Sequence, residues 1–409
     1  MKRLLQVPLQ AFGAILLVMF TVSLAYGQAT VQYRLEQVPI PEGFFVNDFN
    51  NQNLVVGHSR YTDGETVVLY DHDGVLGAPR STWSLDDLID VSDEFSSASI
   101  LDINESGQFV AYLKRDDGTD ESILVDLYDT GGSLSPTWRY LNVPASSGLS
   151  YAKRINDLGE VLGQFVDDVS GDTHAFLLDS TNPSSTPVVL TDPTTGMPIA
   201  IRAPDLLRLN NLGQVSGNTY IETDFGYGIS FGGFRLTPSV EMLLTPLSET
   251  LRTATIRDMN DFGEMTGEAL VAVTGSGRKG KTTTSLRGIR FDETGYEFLP
   301  PAVPVRGRDI NNAGDVLGSI DTTDGSREAQ FLVHDSNLIY LDDVVTGVPG
   351  DEDFWHAATD FYHQHMNDRD ATGYGHVFAR AGVVVTTGKG RNQTTTSETR
   401  YFILTPELP

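Results

Sequence analysis

The sequence has 409 residues, no cysteine and a formal net charge of −27, with 55 Asp and Glu against 28 Lys and Arg. The absence of cysteine excludes disulfides, thiol nucleophiles and thiolate metal sites. Such an acidic chain repels phosphate backbones, which argues against nucleic acid as a partner.

The first 27 residues predict a cleaved export signal. Lys2 and Arg3 precede an apolar run over 11–25, and Ala-Tyr-Gly at 25–27 matches a cleavage site for such signals. Removing this segment leaves 382 residues with a net charge of −29, because Lys2 and Arg3 are its only charged residues. No later stretch reaches the roughly 18–20 apolar residues that span a bilayer. We therefore expect a secreted or periplasmic protein, an uncleaved membrane anchor being the alternative.

One short motif recurs along the rest of the chain. Its clearest copy is Ile-Asn-x-x-Gly-x-Val-x-Gly at 155–163, and residues 310–318 repeat it in the same frame. Asparagines occupy the second motif position at intervals of 50 to 56 residues: Asn50, Asn104, Asn156, Asn210, Asn260, Asn311 and Asn367. Asn suits the first position of a type I turn, and Gly suits the left-handed position that follows. The motif therefore predicts a tight turn between two strands in each repeat.

The second half of each repeat supplies two more β-rich runs. In the third repeat these are His174–Leu178 and Val188–Thr191. Four strands in about 50 residues, without helical periodicity, are typical of a propeller blade. We predict an all-β chain whose residues 28–409 form a seven-bladed β-propeller, with blades at about 42–90, 95–145, 148–195, 199–249, 251–304, 306–345 and 352–409.

The two ends of the chain predict how the ring closes. The seventh repeat ends after its third strand, at 400–405, while residues 31–41 read as a fourth strand without a blade of its own. Pairing the two segments completes blade seven and removes an open sheet edge. The alternative is an open β-solenoid, which has no need for matching partial blades at its ends.

The motif, followed by His-Ala-Phe-Leu at 174–177, resembles the HAF-repeat family of extracellular bacterial proteins. The resemblance covers essentially the whole mature chain, although the His-Ala-Phe triplet occurs only once. Gly-Phe-Arg at 233–235 stands at the equivalent place in the next repeat. The resemblance implies export and a repeat architecture, and it implies no particular activity or catalytic residue.

Two glycine-rich insertions are predicted between the second and third strands of blades five and seven. Residues 275–282 match the phosphate-binding loop pattern, but a β-branched run follows instead of a helix, so we predict no nucleotide there. Residues 386–397 form a related insertion without the Gly-Lys-Thr ending. We hypothesise contact with an acidic partner or polysaccharide, solvated hairpin tips being the alternative, through these side chains: Arg278, Lys279, Lys281, Lys389 and Arg391.

The long connection at 347–358 is the best candidate for a ligand-binding loop. Asp353, Trp355 and His356 combine an aromatic face that can stack on a sugar with polar groups that can bind hydroxyls. The alternative is an ordinary connection whose Trp packs inside the protein.

Histidines and acidic turns are candidate metal ligands. His363 and His365 are two apart, so on a regular strand they share a face and could chelate one ion. Acidic turns such as 116–120, 167–172 and 321–325 could wrap Ca²⁺, although Asp-Gly also favours hairpin turns for conformational reasons alone. We therefore predict no resident cofactor, with calcium as the alternative.

The residue two positions before each repeat asparagine is ionisable. These residues are Asp48, Asp102, Arg154, Arg208, Asp258, Asp309 and His365. On the innermost strand of each blade they would face the axis. There Asp102 can pair with Arg154, and Arg208 with Asp258, between adjacent blades. The alternative is a polar channel that holds ions or water.

Catalytic signatures are weak, since the sequence predicts no nucleophile elbow and has no His-Glu-x-x-His motif. Export, propeller repeats and candidate binding loops favour a non-catalytic binding or scaffold protein that recognises a glycan, a peptide or a cell-surface component. The first alternative is an extracellular hydrolase or lyase that acts on polysaccharide with carboxylates at the ring mouth. The second is a structural envelope or matrix protein.

Overall fold

The computed structural model describes residues 31–40, 44–59, 67–76, 79–90, 95–128, 134–146, 149–223, 228–238, 241–248, 250–274, 282–300, 304–321, 328–346, 358–369, 373–387 and 394–407. Over these ranges the chain forms antiparallel sheets in a ring, a seven-bladed β-propeller, which confirms the predicted fold. Helix there is confined to α1 (Leu85–Leu88), α2 (Leu341–Val344) and a 3-10 turn (Pro204–Leu206). None of the described helices is long and apolar enough to cross a membrane.

Each blade is a short antiparallel meander whose first strand lines the axis. The first strand of the described residues is β1 (Gln32–Val38). Blade one contains β2 (Phe44–Phe49), β3 (Leu54–Ser59), β4 (Val67–Asp71) and β5 (Ser81–Ser84). Blade two contains β6 (Phe95–Ile103), β7 (Gln108–Arg115), β8 (Asp120–Tyr128) and β9 (Leu134–Tyr140). Blade three contains β10 (Ser150–Ile155), β11 (Glu160–Val166), β12 (Thr173–Asp179) and β13 (Val188–Val189). Blade four contains β14 (Arg208–Leu209), β15 (Val215–Thr223), β16 (Gly228–Leu236) and β17 (Met242–Leu244). Blade five contains β18 (Leu251–Met259), β19 (Met265–Thr274), β20 (Thr282–Asp292) and β21 (Gly295–Phe298). Blade six contains β22 (Val305–Ile310), β23 (Val316–Asp321), β24 (Glu328–His334) and β25 (Asn337–Tyr340). Blade seven combines β1 with β26 (Val345–Thr346), β27 (Ala358–Arg369), β28 (Gly375–Thr387) and β29 (Thr394–Glu407).

Blade seven confirms the predicted closure of the ring. β1 pairs antiparallel with β29 along its whole length. Its Tyr33 and Leu35 are buried in one hydrophobic cluster with Phe402 and Leu404. β26 adds a parallel pairing at the outer edge of β1, with Val345 opposite Tyr33, which the sequence did not predict. β1 and β29 therefore share a sheet and a core, so neither strand can leave without opening the ring.

The last glycine of the repeat motif is needed for packing between the second and third strands. Gly163 lies opposite Phe176, and a Cβ added to Gly163 would lie 2.1 Å from the Phe176 ring. Gly318 and Phe331 repeat this arrangement, with a distance of 2.3 Å. Both phenylalanines are fully buried. The motif glycine and the phenylalanine of the next strand therefore form one packing unit, which accounts for their joint recurrence.

A β-bulge recurs in the innermost strand, just before the ionisable residue. In blade three the pairing with β11 passes from Ala152 to Arg154, which leaves Lys153 as the extra residue. The register shifts at the same place in blades one, two, five, six and seven. Bulges re-aim side chains locally. As a result the consecutive residues Lys153 and Arg154 both line the same cavity.

Candidate functional site

The repeat asparagine builds the turn face of the ring, the end at which the first and second strands of each blade are joined. Asn156 Oδ1 accepts the backbone N–H groups of Leu158 at 3.1 Å and Glu160 at 2.9 Å. Its Nδ2 donates to the carbonyl oxygen of Asn210 in the next blade, at 2.9 Å. Because Asn156 is buried, these bonds both fix its own turn and tie two blades together.

The bond between blades repeats around the axis. Each repeat asparagine donates to the carbonyl oxygen of the next, namely Asn50 to Asn104 (3.2 Å), Asn104 to Asn156 (3.0 Å), Asn210 to Asn260 (3.0 Å), Asn260 to Asn311 (3.0 Å) and Asn311 to Asn367 (3.4 Å). The last step differs, because Asn367 donates to Oδ1 of Asn53 at 3.1 Å. Asn53 replaces the motif glycine and keeps the left-handed conformation, with φ of 58°. The degenerate first copy thus supplies the acceptor that closes the ring.

A second ring of hydrogen bonds involves the residues that follow the repeat asparagines. The backbone N–H of each donates to the side-chain oxygen of the next at 2.7–2.9 Å, in the closed order Asn51, Glu105, Asp157, Asn211, Asp261, Asn312, Asp368 and Asn51. Amide groups also bridge carboxylates: Asn312 Nδ2 donates to Asp261 at 2.7 Å and to Asp368 at 2.9 Å. The carboxylates at this mouth are therefore structural acceptors.

Glu105 and Asp157 are the only carboxylates that are neighbours in this second ring. Glu105 accepts the N–H of Asn51 at 2.9 Å, and Asp157 accepts the N–H of Glu105 at 2.8 Å. Burial raises the pKa of Glu105 to about 7 against the opposing Asn51 hydrogen bond, and the charge of Asp157 adds to the rise. Glu105 can therefore hold a proton near neutral pH, as a general acid must.

Behind this mouth lies the axial layer, the ionisable side chains at two positions before each repeat asparagine: Asp48, Asp102, Arg154, Arg208, Asp258, Asp309 and His365. Both predicted ion pairs are present, with Arg154 Nη1 3.1 Å from Asp102 Oδ1 and Arg208 Nε 2.8 Å from Asp258 Oδ1. The second oxygen of Asp102 accepts the N–H of Ile155 at 2.7 Å. The Asp102–Arg154 pair therefore joins its two blades through the backbone as well as through charge.

Burial changes the protonation of the axial layer. Burial and nearby Asp48 raise the pKa of Asp102, while the charge of Arg154 lowers it. Burial lowers the pKa of His365 to about 4, so its imidazole is neutral at pH 7. A register shift falls between His363 and His365, so the regular alternation that would place them on one face does not run through the pair. The metal site at these histidines stays a prediction.

A channel runs along the axis of the ring, with the turn face at one end and the axial layer behind it. On the other side of the axial layer, blades one, two and three leave a cavity of about 490 Å³, which we call the recess. Its volume falls in the range of about 300–1,000 Å³ that is typical of ligand sites. Tyr112 and Tyr151 form an aromatic wall, with ring centroids 5.4 Å apart and edge to face. The remaining wall is mostly polar and includes Asn47, His58, Ser97, Ser99, Lys153, Arg154 and Asp205. Apart from Arg154, these residues carry no motif of their own, so sequence reasoning missed them.

A hydrogen-bond network fixes one wall of the recess. Ser99 Oγ lies 2.9 Å from His58 Nδ1, and Asn47 Nδ2 donates to Ser99 Oγ at 3.2 Å. Asn47 also donates to the carbonyl oxygen of Ile100 at 2.6 Å. His58 stacks on the ring of Phe45, with centroids 5.5 Å apart. The network therefore presents fixed polar groups to the recess.

Lys153 is the buried cation of the recess. Its Nζ lies 2.8 Å from Oδ1 of Asp205, which stands on the 3-10 turn before blade four. Burial lowers the pKa of Lys153 to about 8, the charge of Arg154 adds to that effect, and Asp205 opposes it. The Lys153 side chain is 9% exposed and that of Asp205 is 89% exposed.

The ligand-binding residues predicted from the sequence lie outside the described residues: Asp353, Trp355, His356, Arg278, Lys281, Lys389 and Arg391. The predicted export signal at 1–27 lies outside them too. β20 begins at Thr282, so a strand follows the glycine-rich loop, as predicted. A Gly-x-Ser-x-Gly match at 228–232 lies inside β16, so it is not a strand-to-helix elbow.

In two of the acidic turns a carboxylate accepts hydrogen bonds from backbone N–H groups of the same turn. Asp117 accepts the N–H of Thr119 at 2.9 Å, and Asp167 accepts that of Ser170 at 2.6 Å. Most of the turn at 321–325 lies outside the described residues. Within the described part of the chain, one group could hold a metal ion by the closeness of its ligand atoms: Asp315, His334 and Asp335.

No family model and no curated protein matches this sequence. Among solved structures, the β-propeller domain of the Trilobed protease from Pyrococcus furiosus aligns over 73% of this chain and 84% of its own, with 10% identity and a TM-score of 0.40. The acylaminoacyl peptidase of Pyrococcus horikoshii aligns over 72% of this chain, which spans 45% of the peptidase, with 10% identity and a TM-score of 0.40. Trypanosoma rangeli sialidase aligns over 91% of this chain and 57% of its own, again with 10% identity and a TM-score of 0.40. Similarity at this level says nothing about activity or substrate.

Proposed function

We propose that the protein is an exported, non-catalytic binding propeller of the HAF-repeat type that recognises a glycan in the recess. The observation that carries the proposal is the recess itself, a cavity of about 490 Å³ with an aromatic wall facing hydroxyl, imidazole and ammonium groups. Sugars offer apolar C–H faces and closely spaced hydroxyls. Tyrosine rings and small polar side chains are suited to bind both.

The turn face supports a binding role over a catalytic one. Asp157 and Asp261 accept backbone N–H groups from neighbouring blades, each at 2.8 Å. A carboxylate that changes protonation during a reaction would weaken such a bond at every cycle. The hydrogen-bonded mouth is therefore suited to hold the ring rigid while the opposite end binds.

A glycan array tests the proposal. The purified protein should bind a defined subset of glycans, and Tyr151→Ala should abolish that binding because it removes half of the aromatic wall. Tyr220→Ala is the matched control, since Tyr220 is 52% exposed, lies on β15 and contacts Arg202 outside the recess. Equal loss in both variants, or no loss in Tyr151→Ala at an unchanged melting temperature, contradicts the assignment to the recess.

The same array also tests the loops predicted from the sequence. Trp355→Ala, and removal of the basic side chains Arg278, Lys281, Lys389 and Arg391, should weaken binding if these loops contribute to the ligand site. Repeating the array with a chelator tests the calcium alternative and the histidine pair. A chelator effect on binding would favour a metal site.

The second candidate function is a polysaccharide hydrolase, and the Glu105–Asp157 pair is the observation that favours it. A carboxyl group that holds a proton near neutral pH, with a second carboxylate beside it, is the basis of acid–base glycoside cleavage. Incubation with a polysaccharide panel should then release new reducing ends, and Glu105→Gln should abolish the release. Absence of new reducing ends across the panel would remove this candidate.

A further inference from the structure

The ion pair in the recess is built asymmetrically. The Lys153 side chain is 9% exposed while its partner Asp205 is 89% exposed. In the neighbouring axial pair, Arg154 and Asp102 are both mostly buried, at 13% and 11%. A buried cation is stabilised by an anion beside it. The Asp205 carboxylate can separate from Lys153 at a small cost in free energy if another anion replaces it, because water already solvates this carboxylate almost fully.

The equivalent cation of blade five is paired with a mostly buried anion that cannot move into solvent in this way. Arg257 occupies the bulge position that Lys153 has in blade three. Its Nη2 lies 2.7 Å from Glu268, whose side chain is only 16% exposed and also lies 3.2 Å from Arg306. That anion is held inside the protein by two cations. Of these two bulge cations, Lys153 is the one with an exposed counter-ion.

The surroundings of Lys153 fit a sugar that carries the replacing anion. Its Nζ lies 5.9 Å from the centre of the Tyr151 ring, so an anion at Nζ places the rest of its molecule beside the aromatic wall. Burial raises the pKa of Tyr151 to about 12, which keeps the phenol protonated as a hydrogen-bond donor. Ser97 and Ser99 line the same recess.

We infer that the recess takes a carboxylate-bearing sugar, a uronic acid, whose carboxylate displaces Asp205 and binds the Lys153 ammonium. The resident partner is itself a carboxylate, so the replacement preserves the charge and geometry at Nζ. The inference rests on the proposed function and adds the class of glycan to it. It is non-covalent, and Asp205 moves into solvent as the sugar enters.

The test compares uronic-acid oligosaccharides with their methyl esters by isothermal titration calorimetry. The two ligands share every sugar ring and differ only in the anion. We expect the acid form to bind at least tenfold more tightly than the ester. Lys153→Met should bring the affinity for the acid down to that of the same variant for the ester, so that the variant no longer distinguishes the two ligands.

Whereas Lys153→Met should weaken binding of the acid form, Asp205→Asn should strengthen it. It removes the competing carboxylate, so we expect it to tighten binding of the acid form three- to tenfold and to leave the ester unchanged. Asp172→Asn is the control, because it makes the same change of charge at a half-exposed carboxylate outside the recess, which pairs with Arg202. An equal gain with Asp172→Asn would indicate a general charge effect and overturn the inference.

The outcomes separate the inference from the proposed function. Equal affinity for acid and ester, with both lost in Tyr151→Ala, overturns the uronic-acid inference and leaves glycan binding in the recess intact. Weaker binding of the acid by Asp205→Asn also overturns it, because Asp205 would then hold the ligand. Absence of any glycan binding by the wild-type protein removes both.

Discussion

At the turn face every blade contributes the same hydrogen bonds, whereas at the recess neighbouring blades contribute different side chains. Asn156 and its counterparts repeat one bond to the next blade around the axis, with a single substitution at Asn53 where the ring closes. In the recess, blade one supplies His58, blade two Ser99 and blade three Lys153. The repeated end holds the ring together, and the varied end is free to be specific.

The same contrast holds for charge. Carboxylates on the turn face and in the axial layer accept backbone N–H groups, as Asp102 does from Ile155 at 2.7 Å. In the recess Asp205 is bonded to one ammonium and is otherwise exposed to solvent. A carboxylate that carries a backbone bond belongs to the fold. One that does not is available to exchange with a ligand.

The largest effect should come from the axial layer. Asp102→Ala removes the acceptor of the Ile155 N–H and the partner of Arg154, both of which are buried, so we expect a loss of about 3–5 kcal/mol in the free energy of unfolding. Asp102→Asn keeps an acceptor oxygen and should cost clearly less. Urea denaturation measures both, and equal losses would show that the backbone bond contributes nothing.

The repeat asparagine should come next. Asn156→Ala removes two acceptor bonds and the donor bond to Asn210 at 2.9 Å, so we expect a loss of about 3 kcal/mol. Asn367→Ala is the matched variant in the degenerate copy, where the side chain donates to Asn53 and accepts the N–H of His376. It should cost less because fewer bonds are removed. The reverse order would mean that the closing step, and not the repeat, dominates stability.

The sequence predicted those parts of the molecule that repeat. The spacing of the asparagines predicted seven blades, and the partial repeats at the two ends predicted the pairing of β1 with β29. The alternation of charge predicted that Asp102 meets Arg154. Each of these follows from local patterns that recur in register.

What the sequence did not predict depends on contacts between distant residues. The bulge that brings Lys153 into the recess beside Arg154 arises from the pairing of β10 with β11 and has no residue signature of its own. His58, Ser99 and Tyr151 converge from three blades that are about 50 residues apart. The parallel strand β26 has only two residues, too few for any periodicity.

Glu105 should make the turn face sensitive to pH. Its pKa rises from 4.5 to about 7 on folding, so its contribution to stability is complete below pH 4.5 and is lost as the pH rises through 7. Glu105→Gln keeps the acceptor for Asn51 and removes the titration. Because Glu105 is partly exposed and solvent screens its charge, we expect the variant to exceed the wild type at pH 8 by about 1 kcal/mol, less than the full shift in pKa would give. Urea denaturation at pH 5 and pH 8 measures the difference. A constant difference between the two pH values would exclude the titration of Glu105 as its source.

The smallest effect should come from the recess. Asp205→Asn breaks an ion pair whose acidic partner is 89% exposed, so we expect the free energy of unfolding at pH 7 to fall by less than about 1 kcal/mol. The same substitution at Asp102 is the comparison, because it also removes the charge partner of a channel cation. If Asp205→Asn cost as much as Asp102→Asn, the recess pair would be part of the fold, as the axial pairs are. A small loss in the free energy of unfolding, together with tighter binding of uronic-acid oligosaccharides, would show that the ion pair of the recess contributes to ligand binding and not to stability.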